Sequence, residues 1–447
     1  MKNIIFILII AFIAFTGQAQ SIQLQECIAA AINNRATIQS AKTELMIANL
    51  QKSEALSRYI PQVSINYEYR YNPIIQSQVV PVGQFKPTPD DETRAIQFGT
   101  NWQQNIGLNV TQPILDFSIK SRVEESKINE RLKNMDISIA TDELKVEVLK
   151  SFANIYQLCE AISNAGVDTL RTFASIVMIS NKFSEGRVLK TDVNKSILNH
   201  NNTLSNFRLA LSALVKEKIY LSFLTGLSLE RLLNNDFDFQ PPLNSSLLNN
   251  IDNISTDSIA RFQQFSNREA LVREQIKSEN RKYLPSINFQ GYLGANQFSD
   301  KFNPFLSNSW FGSSYLGLSA KMPLLLGESK KNHLQQFELQ SKIIGSNRIE
   351  LEDQVNRDFL HLNQEIEEIK EQIAIIAQNV ALMTENVQLF QDRFSAGQFN
   401  ANELNLQEID LQKEKNVLLE KKAQLTKKEI DRIHVSGNLG AFLKALN

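Results

Sequence analysis

The sequence predicts a mainly α-helical protein with a small β part, built from two copies of one pattern. Three observations predict this fold class: two very long stretches with apolar residues at helical spacing, four runs in which apolar and polar residues alternate, and a short motif that occurs twice. The motif is a basic residue followed by Phe-Ser-x-Gly, and it ends at Gly186 and again at Gly397. Because Gly readily adopts the left-handed conformation that ends a helix, each copy predicts a helix–turn–helix reversal.

Composition excludes several classes of protein. The chain has 447 residues, with 47 Lys and Arg against 48 Asp and Glu, a net charge of −1. A nucleic-acid partner is not expected, because binding nucleic acid needs a cationic surface. An enzyme is not expected either, since no Gly-rich phosphate loop, nucleophile elbow or nucleotide fingerprint occurs, and no cofactor or metal site is predicted. The four histidines are scattered, at His200, His333, His361 and His434.

The first 19 residues have the pattern of a signal peptide. Lys2 precedes an apolar run over residues 4 to 15, and small residues follow up to a cleavage point after Ala19. The run is too short to span a bilayer, and no second apolar run of about 20 residues follows. The sequence therefore predicts an exported protein without a transmembrane helix. Its two cysteines, Cys27 and Cys159, lie within helical patterns and are predicted to be buried free thiols.

The first repeat is predicted over residues 20 to 226. It begins with a helix over residues 21 to 57 that bends at Asn33-Asn34. Two strands follow, each with one apolar and one polar face, because apolar and polar residues alternate along them. A polar, Pro-containing loop over residues 73 to 94 separates the two strands, and Pro113 is predicted to end the second one.

A very long helix is predicted next, over residues 117 to 183. Its apolar residues alternate between spacings of four and three, which predicts a coiled-coil seam. At about 1.5 Å per residue, such a helix is on the order of 100 Å long. After the turn, a helix capped by Thr191 returns to Gly226. Residues 227 to 255, rich in Asn, Ser and Leu, are predicted to link the two repeats.

The second repeat, over residues 256 to 437, has the same order of elements. Before its first strand, Lys282-Tyr283-Leu284-Pro285 repeats the earlier Arg58-Tyr59-Ile60-Pro61. Its long helix is predicted over residues 328 to 394, and Asn402 is predicted to cap the returning helix. A tail over residues 438 to 447 follows. The returning helix has one Leu per heptad, which predicts a narrow apolar stripe on a helix largely in water: Leu404, Leu411, Leu418 and Leu425.

The length of the strands bears on where the protein resides. Each alternating run has about ten residues, the length of a tilted strand that crosses an outer membrane. Four strands cannot close a barrel, and an open edge in lipid would leave backbone groups without hydrogen bonds. Since the smallest usual barrels have about eight strands, several chains would have to contribute, and three chains of four strands give twelve. The alternative is a soluble sheet of two hairpins that covers the helices.

Taken together, the motifs resemble those of the TolC family of outer-membrane channel proteins. The marks are Leu24-Gln25-Glu26-Cys27-Ile28 near the start, a Tyr-x-Pro before the first strand of each repeat, strands that run from Gly-Leu to Pro113 and Pro323, and the paired turns. The resemblance covers essentially the whole mature chain. It implies a homotrimer in the outer membrane, with a twelve-stranded barrel and a tunnel of coiled-coil helices in the periplasm.

The resemblance also implies a function and partners. Such a channel is the exit duct for an inner-membrane pump and a periplasmic adaptor protein, in drug efflux or type I secretion. Pump and adaptor would be its protein partners, and outer-membrane lipid would surround its barrel. The rival interpretation is a periplasmic coiled-coil adaptor or scaffold without a pore, which the heptads alone would allow. The strands of membrane-crossing length favour the channel, because an adaptor needs none.

The resemblance places candidate gate residues beside the turns. The family has two acidic residues three positions apart at its periplasmic constriction. Glu403 matches the first, whereas Leu406 stands at the second and departs from the pattern. Asp192 is the repeat-related acidic residue of the first turn. Three copies of a carboxylate would form a ring that attracts cations. The alternative is that Asp192 and Glu403 stabilise the N-terminal turns of their helices through the helix dipole.

The turns themselves are the candidate contact surface for an adaptor. Phe183, Gly186, Phe394 and Gly397 would form the paired tips that an adaptor grips. Nearby cations either contribute polar or charged contacts to the adaptor or are simply solvated charges at the helix ends: Lys182, Arg187, Lys190 and Arg393. The substrate is not expected to be encoded in this chain, because the pump sets the choice of cargo.

Overall fold

The structure is a computed structural model that describes residues 21–81, 93–238, 253–302, 310–324, 328–398 and 400–445. The predicted signal peptide lies outside these residues, as does the middle of the predicted link between the repeats. The chain forms two compact units, and each unit takes segments from both repeats. The helical unit comprises Met1–Glu44, Lys133–Ser266 and Gly345–Asn447, and the sheet unit comprises Leu45–Leu132 and Asn267–Ile344.

Helices dominate the described residues. They are α1 (Leu24–Asn34), α2 (Ala36–Ser57), α3 (Phe117–Ser184), α4 (Lys190–Thr225), α5 (Leu229–Asn234), α6 (Ala260–Arg281), α7 (Ser329–Ser395), α8 (Ala401–Val435) and α9 (Leu439–Ala445). The strands are β1 (Gln62–Tyr71), β2 (Ser77–Pro81), β3 (Thr93–Gln97), β4 (Trp102–Leu115), β5 (Ser286–Ser299) and β6 (Trp310–Lys321). None of the described helices combines the length and hydrophobicity that crossing a bilayer requires.

The predicted helices lie where the sequence places them. The two long helices, α3 and α7, have 68 and 67 residues. The predicted bend at Asn33-Asn34 is a break at Arg35, whose backbone is extended. Gly226 ends α4 with φ of +71°, and a Cβ there would lie 2.8 Å from the Asn34 Cβ. Gly is therefore required at this position both by its conformation and by the close approach of α1.

The sheet unit contains a four-stranded antiparallel sheet in the order β1-β4-β5-β6. The predicted loop over residues 73 to 94 differs from the prediction, since β2 and β3 pair within it as a separate hairpin. Pro113 does not end its strand either. It pairs with Asn288, the register shifts between Pro113 and Leu115, and β4 continues. A strand tolerates Pro at such an irregularity, where the regular hydrogen-bond ladder is already interrupted.

The two faces of this sheet differ in character. Because side chains alternate along a strand and paired residues share a face, one face carries mainly apolar residues, and many of them are exposed. Members of this apolar face are Val63, Ile65, Tyr67, Ile106, Leu108, Leu293 and Leu316. On the polar face, the Tyr292 ring lies over the paired Gly107 and Gly294, and its hydroxyl accepts a hydrogen bond from Asn105 Nδ2 at 2.8 Å.

Among the described residues, the helical unit has three buried apolar clusters, one of which lies between the two repeated turns. Another surrounds Cys27 and includes Val148, Ile155 and Leu221. Cys159, half-buried, packs against it. Burial raises the pKa of the Cys27 thiol to about 12, which fits the prediction of buried free thiols for this residue. In the third cluster, Ile430 and Ile433 of α8 pack with Leu439 and Phe442. The predicted C-terminal tail is therefore mostly helical and contributes to the core.

Candidate functional site: the two helix–turn–helix tips

The first turn ends α3 in a Schellman motif. Gly186 has φ of +73°, its N–H donates to the Phe183 carbonyl at 2.9 Å, and the Arg187 N–H donates to the Lys182 carbonyl at 2.9 Å. These two bonds satisfy carbonyls that the last turn of a helix would otherwise leave unpaired. The basic residue of the motif lies in the last turn, where the helix dipole favours a cation.

The second turn repeats this geometry residue by residue. Gly397 has φ of +80°, its N–H donates to the Phe394 carbonyl at 3.1 Å, and the Gln398 N–H donates to the Arg393 carbonyl at 3.0 Å. Ser184 and Ser395 also match, since each hydroxyl donates to the carbonyl three residues earlier at 2.7 Å. The repeated motif is thus a helix C-terminus, as the sequence predicts.

The starts of the returning helices differ from the prediction. Thr191 and Asn402 do not cap them, because both helices begin earlier. At α8, the Asn400 Oδ1 accepts from the Glu403 N–H at 2.9 Å. At α4, the residue before the helix is Leu189, which has no capping side chain. The Asp192 carboxylate instead accepts from the Leu189 N–H at 3.1 Å. Asp192 therefore helps to cap its own helix.

Cations and amides join the two turns. Lys182 Nζ donates to the Phe394 carbonyl and, at 3.1 Å, to the Ser395 carbonyl, and it lies 4.3 Å from the centre of the Phe394 ring. Lys195 Nζ donates to Asn402 Oδ1 at 2.7 Å. The end of the first hairpin thus neutralises the carbonyl end of α7, where the helix dipole is negative.

The two phenylalanines of the motif have different roles. Phe394 is 1% exposed and packs with Ile179, Val193 and Leu404 in a small core between the turns. Phe183 is 41% exposed, and Lys190 Nζ lies 5.4 Å from the centre of its ring. The ring of Phe394 is thus enclosed by both hairpins, whereas the ring of Phe183 is accessible, and contact of either residue with an adaptor stays a prediction.

A pocket of about 490 Å³ lies between the two turns. Asp192 and Glu403 both line it, each at the third position of its helix, so the structure brings the two predicted gate residues to one site. Leu406 is 49% exposed and does not line the pocket. No hydrogen bond or ion pair of the Glu403 carboxylate occurs among the described residues. The remaining lining residues include Gly186, Arg187, Leu189, Gly397 and Asn400.

Solved structures match this fold over nearly the whole chain. The outer membrane protein VceC of Vibrio cholerae is 13% identical with a TM-score of 0.70, and the match covers 93% of this chain and 96% of that chain. CusC is 14% identical with a TM-score of 0.72, covering 93% of this chain and 92% of that chain. The open-state outer membrane channel MtrE of Neisseria gonorrhoeae is 14% identical with a TM-score of 0.68, covering 93% and 89%.

The chain has the TolC-like fold. No protein-family model matches the sequence, and no curated protein matches it. The likeness thus lies in the backbone architecture: the two long helices, the returning helices and the four-stranded sheet.

Within this TolC-like fold, α8 carries a polar seam that the sequence analysis missed. Three charged residues each follow a heptad leucine by four positions, and all three contact other helices: Glu408, Lys415 and Lys422. Lys415 Nζ lies 3.1 Å from Asp168 Oδ1, and Lys422 Nζ lies 3.4 Å from Glu160 Oε1. The prediction that α8 is largely in water outside its leucine stripe is therefore wrong at Glu408, which is buried, whereas Lys415 and Lys422 remain partly exposed. Each of these charged residues follows one leucine by four positions and precedes the next leucine by three. This is the spacing of a coiled-coil seam, and it could have predicted that these residues face other helices.

The described residues hold no group of three or more His, Cys, Asp or Glu side chains that could bind a metal ion. Three of the four histidines have local partners. His333 Nδ1 lies 3.2 Å from Glu279 Oε1 in the sheet unit, and His361 Nδ1 lies 3.3 Å from Glu365 Oε2 in the helical unit. His200 Nδ1 lies 3.1 Å from the Thr172 hydroxyl.

Proposed function

We propose that this protein is an outer-membrane channel, the exit duct of a tripartite efflux pump or a type I secretion system. In this proposal three copies form a homotrimer. Their twelve strands, four from each copy, close a barrel in the outer membrane, and their long helices form a periplasmic tunnel. Substrates pass through from a periplasmic adaptor and an inner-membrane pump. The protein acts as a conduit and not as an enzyme.

The sheet is the observation that carries the proposal. Its apolar face is exposed at Ile65 (72%), Leu293 (64%) and Leu316 (79%), more apolar surface than a soluble monomer usually presents to water. Strands β1 and β6 have partners on one side only among the described residues. Lipid would cover the apolar face, and edge pairing with further copies would satisfy the free backbone groups.

The solved structures support the same function. VceC is described as an outer membrane protein, CusC as a protein that forms a transmembrane channel, and MtrE as an outer membrane channel. Their folds match 93% of this chain. A periplasmic adaptor or scaffold without a pore is not favoured, because it has no use for an exposed apolar sheet face.

We propose Glu403 and Asp192 as gate residues at the tip of the tunnel. Around a threefold axis, three copies of Glu403 would place three carboxylates at one level and favour cations over anions. The open polar surroundings of Glu403 support this proposal. Asp192 is the weaker candidate, because its carboxylate already accepts the Leu189 N–H. Phe183, Gly186 and Gly397, at the exposed turns, are proposed to contact the adaptor.

Conductance in a planar bilayer tests the function. Purified protein is expected to form discrete pores, and Glu403→Ala is expected to lower their selectivity for cations over anions. Glu185→Ala is the matched control, because Glu185 is a tip carboxylate that does not line the pocket between the turns. Absence of any pore from folded protein would remove the channel proposal. Unchanged selectivity in Glu403→Ala would remove only the gate assignment and would leave Glu403 as a helix-stabilising residue.

A further inference from the structure

One carboxylate in the helical unit is both buried and bound to three other helices. Glu408 of α8 is 1% exposed. Its Oε1 accepts from the Ser175 hydroxyl of α3 at 2.6 Å and from Gln391 Nε2 of α7 at 3.3 Å. Its Oε2 accepts from Asn199 Nδ2 of α4 at 3.1 Å. A single side chain therefore joins all four helices beside the tip core.

No cation pairs directly with this carboxylate in the part of the chain that the structure describes. Arg171 is the cation whose charge acts on Glu408, and it lies 3.1 Å from Asp168 Oδ1, which Lys415 Nζ also contacts at 3.1 Å. Asp168 is itself buried and adds a like charge. On α4, the titratable neighbour is His200, which contacts Thr172. On α7, the contact is the neutral Gln391. An ionised Glu408 thus depends on neutral donors and on the more distant charge of Arg171.

Two buried amides beside Glu408 have unused hydrogen-bonding capacity. Asn405 precedes Glu408 by three residues on the same face of α8 and is 4% exposed, yet neither of its amide atoms has a partner among the described residues. Asn199 is 3% exposed, and its Oδ1 is also without a described partner. Buried polar groups are normally satisfied. Asn199 Oδ1 and Asn405 Oδ1 are acceptors that one more donor could use, although Asn405 Nδ2 and Arg171 Nε are unused donors in the same region.

We propose that Glu408 is a proton-binding site built into the four-helix core, where the protonated acid tightens the helices and the carboxylate loosens them. A proton on Oε2 can be donated to the Asn199 amide once that amide is turned over, since 3.1 Å already separates the two groups. The other oxygen still accepts from Ser175 and Gln391. The neutral acid thus keeps every contact and removes a buried charge that lacks an ion partner.

The pH dependence of this site follows from its surroundings. Burial raises the pKa of the Glu408 carboxyl above its ordinary value, opposed by the hydrogen bond from Ser175 and the charge of Arg171. A carboxyl whose pKa is raised on folding contributes stability that is complete below the unfolded pKa, about 4.5, and is lost as pH rises through the folded pKa. The helices around Glu408 are therefore expected to hold together most tightly in mild acid.

Infrared titration of the full protein tests whether the Glu408 carboxyl binds a proton at a pH where an ordinary Glu is ionised. The carboxylic-acid band that disappears in Glu408→Gln, and remains in Glu420→Gln, is expected to titrate with a midpoint above that of an ordinary Glu. Glu420 is the matched control, because it is an exposed carboxylate on the same helix. Ser175→Ala removes one donor to the carboxylate and is expected to move the midpoint further upward. A midpoint at the ordinary value, or one that Ser175→Ala leaves unchanged, overturns the proposal.

Hydrogen exchange tests whether protonation of Glu408 stabilises the packing of the helices around it. Variants are compared at the same pH, so that the intrinsic exchange rate cancels. At high pH, amides of α8 around Glu408 are expected to exchange faster in the unaltered protein than in Glu408→Gln, about tenfold for each unit by which the pKa is raised. In mild acid the two should agree, and Glu420→Gln should follow the unaltered protein throughout. Equal exchange at every pH overturns the link between proton and packing. Neither test requires that the protein form a pore.

Discussion

Gly186 and Gly397 adopt left-handed backbone conformations, and nothing lies within 4 Å of the position that a Cβ would take at either residue. A substitution by Ala would therefore cause no steric clash with neighbouring atoms, and its only cost would be the strain of a left-handed backbone at a residue with a Cβ. Gly186→Ala and Gly397→Ala are each expected to lower the free energy of unfolding by about 1 kcal/mol. Hydrogen exchange of the tip amides, with denaturant unfolding of the whole protein, measures the effect.

Gly345 provides the control for this prediction. It lies inside α7, where a Cβ would also have nothing within 4 Å, but its backbone does not have a positive φ. Gly345→Ala is expected to stabilise the protein by about 0.5–1 kcal/mol, because Ala is the better helix former. If all three substitutions have the same sign, the left-handed conformation is not what selects Gly at the turns.

At the scale of single elements, the tip core makes the two repeats unequal. Phe394→Ala removes a ring that both hairpins enclose and is expected to cost about 3–5 kcal/mol. Phe183→Ala, at the repeat-related and exposed position, is expected to cost much less. Thermal unfolding and exchange of the tip amides measure both. Equal losses would mean that Phe183 is also enclosed, as it would be if another copy covered it.

The strand pair β4–β5 makes a second prediction about an element. A Cβ on Gly294 would lie 2.4 Å from the Ile106 carbonyl oxygen, which belongs to the backbone and cannot move aside cheaply. Gly294→Ala is therefore expected to impair formation of the sheet. Gly317→Ala in β6 is the matched control, because nothing lies within 4 Å of its Cβ position. The yield of folded protein that resists denaturation by detergent without heating distinguishes them.

The elements also show which features the sequence could predict. The bounds of α3 and α7 were predicted to within two residues, because a heptad seam is a local pattern repeated over many turns. The hairpin β2–β3 was missed, since each of its strands has five residues and no clear alternation. Pro113 was misjudged because the irregularity that accommodates it depends on β5, which is distant in sequence.

In the candidate site too, features set by neighbouring residues were predicted, and features that depend on residues distant in sequence were not. Both turns were predicted, because the residues of a Schellman motif are consecutive. The burial of Phe394 and the exposure of Phe183 could not be predicted, since both rings lie in the same basic-Phe-Ser-x-Gly motif. Glu408 was passed over for a related reason: its burial depends on Ser175, Asn199 and Gln391, which come from three other helices.

At the scale of the whole molecule, the strand directions permit closure by copies of one chain. Strands β1, β4, β5 and β6 alternate in direction, so the two edges of the sheet run in opposite senses. Strand β6 of one copy can therefore pair antiparallel with β1 of the next, and the pattern continues around a closed ring. A sheet with both edges running the same way could not join copies by antiparallel pairing.

Engineered disulfides between copies test this closure. Asn66→Cys in β1 is combined with Cys in place of Ser313, Gly317 or Ser319 of β6, all of which share the polar face. Cross-linking is expected to be strongest at one of these positions, because the pairing of two strands has a single register. Products are expected to reach three chains and no more, since a closed ring leaves no free edge. Cys in place of Ser314, which lies on the opposite face, is the control and should not cross-link. Ladders of more than three chains would indicate open association of the edges and would contradict the proposed homotrimer.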